Sequence, residues 1–267
     1  MFHAVKNELV DLRGLWFSHK RGDTAELNRI AAEGGADVVA ISAGAYPGVA
    51  DRYLMLPRGA SVGRGYGPVV VAKHPLTVAD LAGRRVGIPG LSTTAWMVLR
   101  LIEPRTEPVV IPIVPFARIF DALDAGEVEA ALLIHEGRLL YERRGLHKVV
   151  DIGHWWAAQT GLPLPLGVNV VRRALGDDMI RTVSSVLRDG IRYAFAHRSE
   201  IIRELVGEDR GDDGLADTAL LDRYLDLYAN QDTLELAPDV RAGVDALFAR
   251  ARVAGLLGSE VSVDWAP

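Results

Sequence analysis

The stretch EAALLIHEGRLLY contains an unbroken apolar run, Ala130 to Ile134, that stops at His135-Glu136. A histidine at the end of such a strand stands where a cleft would open, and imidazole serves as a general base near neutral pH. Neighbours on a strand point to opposite faces, so Glu136 need not share the role of His135. Glu136 or Arg138 could orient the imidazole or bind substrate. Position alone equally allows a structural histidine with its hydrogen bonds satisfied.

A second site candidate lies in VGIPGLSTTAW. A strand ends at Pro89-Gly90, and Ser92, Thr93 and Thr94 open a helix whose first N–H groups lack intrahelical partners. Such a terminus can hold a phosphate or carboxylate, and the two threonine hydroxyls would add donors. Plain N-capping needs only one hydroxyl. No Walker A lysine follows, and no G-x-G-x-x-G follows a strand, so a nucleotide cofactor has little support. Ser42 ends a third run, ADVVAIS, where small residues let a ligand approach the backbone. Tyr46, just beyond it, is either a cleft hydroxyl or core. Arg64 and Tyr66 sit in a glycine-rich stretch that reads as a hinge or hairpin. Trp155 and Trp156 are an aromatic wall or interlobe packing. The remaining histidines show no metal-ligand spacing, so no metal is expected.

The elements that must position these residues follow from periodicity. Phe2 to Val10 suits a short surface helix, and Leu12 to Phe17 is a short apolar run. Asp23 or Thr24 caps a helix that runs to about Glu33 and stops at Gly34-Gly35. Ala36 to Ser42 reads as a buried parallel strand. Further strands are expected at 53–56, 69–72, 85–88, 109–114, 129–134 and 148–152. Helices are expected at 92–102 and 116–125. After residue 175 only helical patterns remain, with Ile180, Val183, Leu187 and Ile191 on one face and Val240, Val244, Leu247 and Ala251 on another. The order is an α/β unit, a second α/β unit, then helices. It implies two lobes, residues 1–71 with 169–267 and residues 72–168, with a ligand cleft between them. The alternative is one doubly wound sheet.

Composition agrees with a globular chain. Of its 267 residues about half are hydrophobic and about a quarter charged, and there is no cysteine. A disulfide framework and cysteine chemistry are therefore excluded. A formal charge of -5 disfavours a nucleic-acid partner. No run is long enough to span a membrane. The opening stretch lacks an apolar leader core, so a soluble cytoplasmic protein is expected.

Several stretches together are specific. ADVVAISAGAY, ADRYLMLPRGASVGRGYGPVVVAK, PGLSTTAW, GEVEAALLIHEGRLLY and VVDIGHWWAAQTGLPLPLGVNVVRR cover much of the chain. In them the chain resembles the 1,4-dihydroxy-6-naphthoate synthases of the futalosine route to menaquinone. The resemblance implies an α/β, two-lobed periplasmic-binding-protein type II fold with C-terminal helices. It implies a carbon–carbon lyase that converts cyclic dehypoxanthinyl futalosine to 1,4-dihydroxy-6-naphthoate and dihydroxyacetone without metal or cofactor. It carries the catalytic base to His135 and substrate contacts to Thr93, Thr94, Ser42, Ala40 and Ile41. Some members have Lys-Leu-Ser where this chain has Ala40-Ile41-Ser42, so an ammonium contact is missing here. Two other readings share the fold: a non-catalytic solute-binding protein and chorismate dehydratase. IHEGR and TGLPLPLG point away from the latter. Family members usually begin with a strand and a Ser-Pro-Cys-Pro-Asn-Asp-Thr-Phe segment. Its absence here implies a start internal to the reading frame, with an unpaired edge expected beside Ala36 to Ile41. Leu12 to Phe17 matches the family's second strand.

Overall fold

The computed structural model describes residues 2–135, 137–206, 218–258 and 260–267. Among the described residues nine strands form two sheets. The first holds β1 (Val38–Ser42), β2 (Tyr53–Met55) and β3 (Ser61–Gly63), all laddered antiparallel onto β9 (Leu164–Arg172). The second runs β6 (Glu107–Val110), β5 (Arg85–Ile88), β7 (Ala130–Leu133), β4 (Val69–Ala72), β8 (His147–Asp151). Within it β5 is parallel to β6 and β7, while β4 is antiparallel to β7 and β8. The helices are α1 (His3–Lys6), α2 (Thr24–Glu33), α3 (Thr94–Ile102), α4 (Arg118–Asp124), α5 (Gly137–Leu140) and α6 (Ile152–Thr160). They continue with α7 (Asp177–Ala196), α8 (Arg198–Val206), α9 (Thr218–Tyr228), α10 (Gln231–Leu234) and α11 (Pro238–Val253).

The parallel strand expected over Ala36 to Ser42 is antiparallel, with Ile41 opposite Val168 and Ser42 opposite Gly167. An apolar run reports burial, not direction. Its partner β9 contains the segment read as merely rigid. Pro165 is accommodated where the ladder with β3 shifts register, the kind of position that tolerates a proline in a sheet. Among the described residues β1 pairs on one side only. Leu12 to Phe17 is not a strand. Leu12, Leu15 and Phe17 instead pack on a small apolar cluster with Val5, Leu56, Ile180 and Leu187.

The chain passes between the sheets twice, at residues 64–68 and 152–163. The ladders therefore place residues 69–72 in the second sheet and 164–172 in the first. The two crossings pack backbone on backbone. A Cβ on Gly153 would lie 1.9 Å from the Tyr66 carbonyl oxygen, and one on Gly67 would lie 2.7 Å from the Gly153 nitrogen. Only glycine fits either place. The main core runs through both sheets. Trp156 and Tyr46 are among its largest fully buried side chains, and Val240, Val244, Leu247 and Ala251 of α11 are buried.

Candidate active site in the intersheet cleft

A cavity of about 750 Å³ opens between the two sheets. Ala40, Ile41, Ser42, Thr93, Thr94 and His135 all line it. These are residues from three separate stretches of sequence, brought together by the two crossings. Tyr46 is not among them. It is fully buried, its ring stacks on Phe248 at 6.2 Å, and its hydroxyl reaches the Tyr53 carbonyl at 3.4 Å. Burial pushes that phenol above its ordinary value. Arg138 also points elsewhere. It donates to the Gly67 carbonyl and, at 2.6 Å, to Asp151, which locks the two crossings together. Glu136 lies outside the described residues. Trp156 packs in the core and donates to the Pro163 carbonyl at 3.1 Å, and neither tryptophan reaches the cavity. Arg64 forks onto Asp232 at 2.7 and 2.8 Å and reaches Asp239 at 2.7 Å, tying α10 and α11 to the first crossing.

His135 follows the last residue of β7 and is half-buried. Its φ is +48°, the left-handed region that non-glycine residues rarely enter. Side chains hold the ring at both nitrogens. Thr24 Oγ1 lies 3.1 Å from Nε2 and the Tyr224 hydroxyl 3.2 Å from Nδ1. The Tyr224 and Tyr228 rings each sit 6.3 Å from the imidazole. Thr24, Tyr224 and Tyr228 also line the cavity. Sequence reading missed all three as site residues. Thr24 presents itself only as a helix start, and the tyrosines lie on a C-terminal helix whose distance from His135 along the chain hides the contact.

Both threonines of the STTA segment have their hydroxyls engaged by protein. Thr93 caps α3, accepting from Trp96 N at 3.2 Å and donating to the Gly90 carbonyl at 2.8 Å. Thr94 accepts from Gly44 N at 2.9 Å and donates to the Leu166 carbonyl at 2.8 Å. Gly44 allows this approach, since a Cβ there would press on Thr94 N at 3.2 Å. The side chains thus fix where α3 begins, and the donors left for an anion are backbone N–H groups of its first turn. α2 begins in the same cavity. Asp23 caps it by accepting from Glu26 N at 2.8 Å, and Thr24 is its first residue. Two helix starts therefore open on one space: at α2 the Asp23 and Glu26 carboxylates offset the positive end, whereas the first turn of α3 carries no acidic residue and keeps it. Asn28 sets their spacing. Its amide accepts from Ser42 N at 2.9 Å and donates to Ser92 Oγ at 3.0 Å, joining α2, the end of β1 and the start of α3. Ile113, Val114, Pro115 and Phe116 add an apolar wall. A cleft with one apolar side and a few convergent polar groups suits a flat, anionic organic molecule.

Residues 1–253 match the menaquinone biosynthesis family. A 1,4-dihydroxy-6-naphthoate synthase from Thermus thermophilus is 40% identical over 234 residues, 88% of this chain and 83% of that protein. The crystal structure of a protein from Archaeoglobus fulgidus is 37% identical, with a TM-score of 0.87 over 96% of this chain and 93% of that one. The alkanesulfonate-binding protein of Xanthomonas axonopodis pv. citri is only 17% identical. It matches with a TM-score of 0.64 over 90% of this chain and 84% of its own, and so shares the fold alone. The architecture is therefore the two-sheet α/β arrangement of periplasmic binding proteins. The extent and identity of these matches place the chain in the menaquinone biosynthesis family.

Proposed function

We propose that the protein is a carbon–carbon lyase that converts cyclic dehypoxanthinyl futalosine to 1,4-dihydroxy-6-naphthoate and dihydroxyacetone. The observation that carries this reading is the imidazole of His135, held between Thr24 and Tyr224 in the same cavity that the start of α3 lines. The naphthoate carboxylate is attracted to the positive end of α3, and the ring lies along the apolar wall. His135 removes a proton from the bound substrate. Cleavage then releases the three-carbon fragment, and formation of an aromatic ring supplies the driving force. The protein's task is placement and exclusion of water, worth several orders of magnitude in rate. We take the units built on the two sheets as lobes that close over the substrate, with residues 64–68 and 152–163 as the crossings. Ala40, Ile41 and Ser42 form the floor, and Thr93 and Thr94 hold the helix end that receives the carboxylate.

No helix among the described residues is long and apolar enough to cross a membrane. We place the protein in the cytoplasm. The direct test incubates purified protein with cyclic dehypoxanthinyl futalosine, and in parallel with chorismate, and follows products by mass spectrometry. Release of 1,4-dihydroxy-6-naphthoate and dihydroxyacetone from the first alone supports the proposal. Tight binding without conversion would favour a solute-binding role, and conversion of chorismate would favour a dehydratase.

A further inference from the structure

The cleft histidine has two nitrogens, and only one can be the base. A neutral imidazole carries one N–H and one lone pair, so whichever nitrogen is protonated leaves the other as acceptor. We infer that Tyr224 is a positioning residue: its oxygen accepts Nδ1–H of His135, which leaves the Nε2 lone pair directed at the substrate.

The two contacts on the ring differ in kind. Nε2 faces Thr24, the first residue of α2, at 3.1 Å. Thr24 lies in the cavity lining beside Ser42 and Thr94, the polar floor on which a substrate would rest. With the Nδ1–H tautomer the Thr24 hydroxyl donates to the Nε2 lone pair and marks the place a substrate proton would take. Nδ1 faces Tyr224 at 3.2 Å, on the side built from packed helices. Tyr224 and Leu225 of α9 pack with Leu139 and Leu140 of α5, the helix that begins two residues after His135, and with buried Ile202 and Leu221. The far end of α9 is fixed as well. Ser61 Oγ donates to the Tyr228 carbonyl at 3.1 Å, and the Tyr66 hydroxyl donates to the Leu227 carbonyl. Both residues line the cavity, but Tyr224 projects from a helix held by packing and by hydrogen bonds at its C-terminal end, whereas Thr24 stands at the start of α2 beside Ser42 and Thr94.

The same phenol oxygen serves after proton transfer. The imidazolium carries N–H on both nitrogens, and Tyr224 then accepts a charge-assisted hydrogen bond from Nδ1. Tyr224 thus stabilises the protonated ring and selects the tautomer that generates it. A wrong tautomer at a catalytic histidine is costly even where geometry survives.

This inference rests on the reading of His135 as base, and the experiments separate the two. The first uses ¹⁵N-labelled wild-type protein at about pH 8.5, above the ordinary imidazole range of about 6.5. Two-bond ¹⁵N–¹H correlation spectra then report which His135 nitrogen carries the proton. The Nδ1–H form is expected, and a dominant Nε2–H form would overturn the inference. The second uses Tyr224→Phe. We expect kcat to fall about 10–100-fold with KM within about threefold, because the lost interaction strengthens in the transition state. The His135 spectrum should shift toward Nε2–H. Wild-type kcat together with an unchanged tautomer in Tyr224→Phe would overturn the role of Tyr224 while leaving His135 as base. An active His135→Ala variant would instead remove the base reading itself.

Discussion

Replacing Thr94 with valine tests whether its hydroxyl is structural. Thr94 is 2% exposed, and its Oγ1 bridges Gly44 N at 2.9 Å and the Leu166 carbonyl at 2.8 Å. Valine keeps the shape and removes both bonds, leaving a donor and an acceptor unpaired where water has little access. Each such group costs about 1–3 kcal/mol, so the pair should cost about 2–4 kcal/mol once partial relaxation is allowed. For a chain of this size that corresponds to a drop in Tm of roughly 4–12 °C. Thr94→Ser keeps the hydroxyl and should lose only about 1 kcal/mol for the missing methyl. Urea and thermal unfolding would measure both variants. Calorimetry with a naphthoate and a neutral naphthalene analogue would then be run on the folded valine variant. Because the anion donors are backbone N–H groups, discrimination between the two ligands should stay within about threefold, under 1 kcal/mol. A valine variant as stable as wild type would refute the bridging role. A selective loss of carboxylate affinity would mean that the hydroxyl turns to the ligand when it binds.

Gly153→Ala should destabilise the protein by about 3 kcal/mol or more, because its Cβ would sit 1.9 Å from the Tyr66 carbonyl oxygen and backbone must move. Gly48→Ala, where a Cβ meets nothing within 4 Å, should stay within about 0.5 kcal/mol, and equal thermal stabilities for the two would contradict the tight crossing. Asp239 tests a pH effect. Its hydrogen bond from Arg64 holds the carboxyl below the ordinary carboxylate range. A depressed folded value contributes stability above the unfolded value of about 3.9 that is lost as pH falls through the folded one. Asp239→Asn should therefore flatten the acid side of the stability curve below about pH 4, and an unchanged slope in acid denaturation would rule this out.

Much of the site was legible because its residues sit where local signals change. β7 ends at the residue before Ile134-His135, β1 ends at Ser42, and Thr93 is the N-cap of α3. Capping chemistry and the end of an apolar run are local, so they can be read without a partner. The strand at residues 69–72 is likewise set by a continuous apolar, β-branched run. What local patterns could not supply was pairing. The prolines in GLPLPLG speak against a central strand, yet β9 is the strand on which the first sheet is built, because a register shift absorbs Pro165. Leu12 to Phe17 looks like a strand but has no partner and packs as irregular chain. Tyr224 could not be found from an amphipathic helix, since its value lies in a contact with a residue in another part of the fold. The threonine hydroxyls were read as ligand donors because the acceptors that engage them, Gly90 and Leu166, are carbonyls invisible to a motif.

The most direct measurement is turnover of cyclic dehypoxanthinyl futalosine by His135→Ala, with substrate binding measured on the same protein. Thr24 and Tyr224 hold the imidazole from either side, so its removal leaves the two helix ends and the apolar wall in place. Loss of a base acts on the transition state, typically by about 10²–10⁴-fold. The expected result is kcat reduced by at least that range, with affinity within about tenfold of wild type, or about 1.4 kcal/mol. Turnover near the wild-type rate would contradict the account.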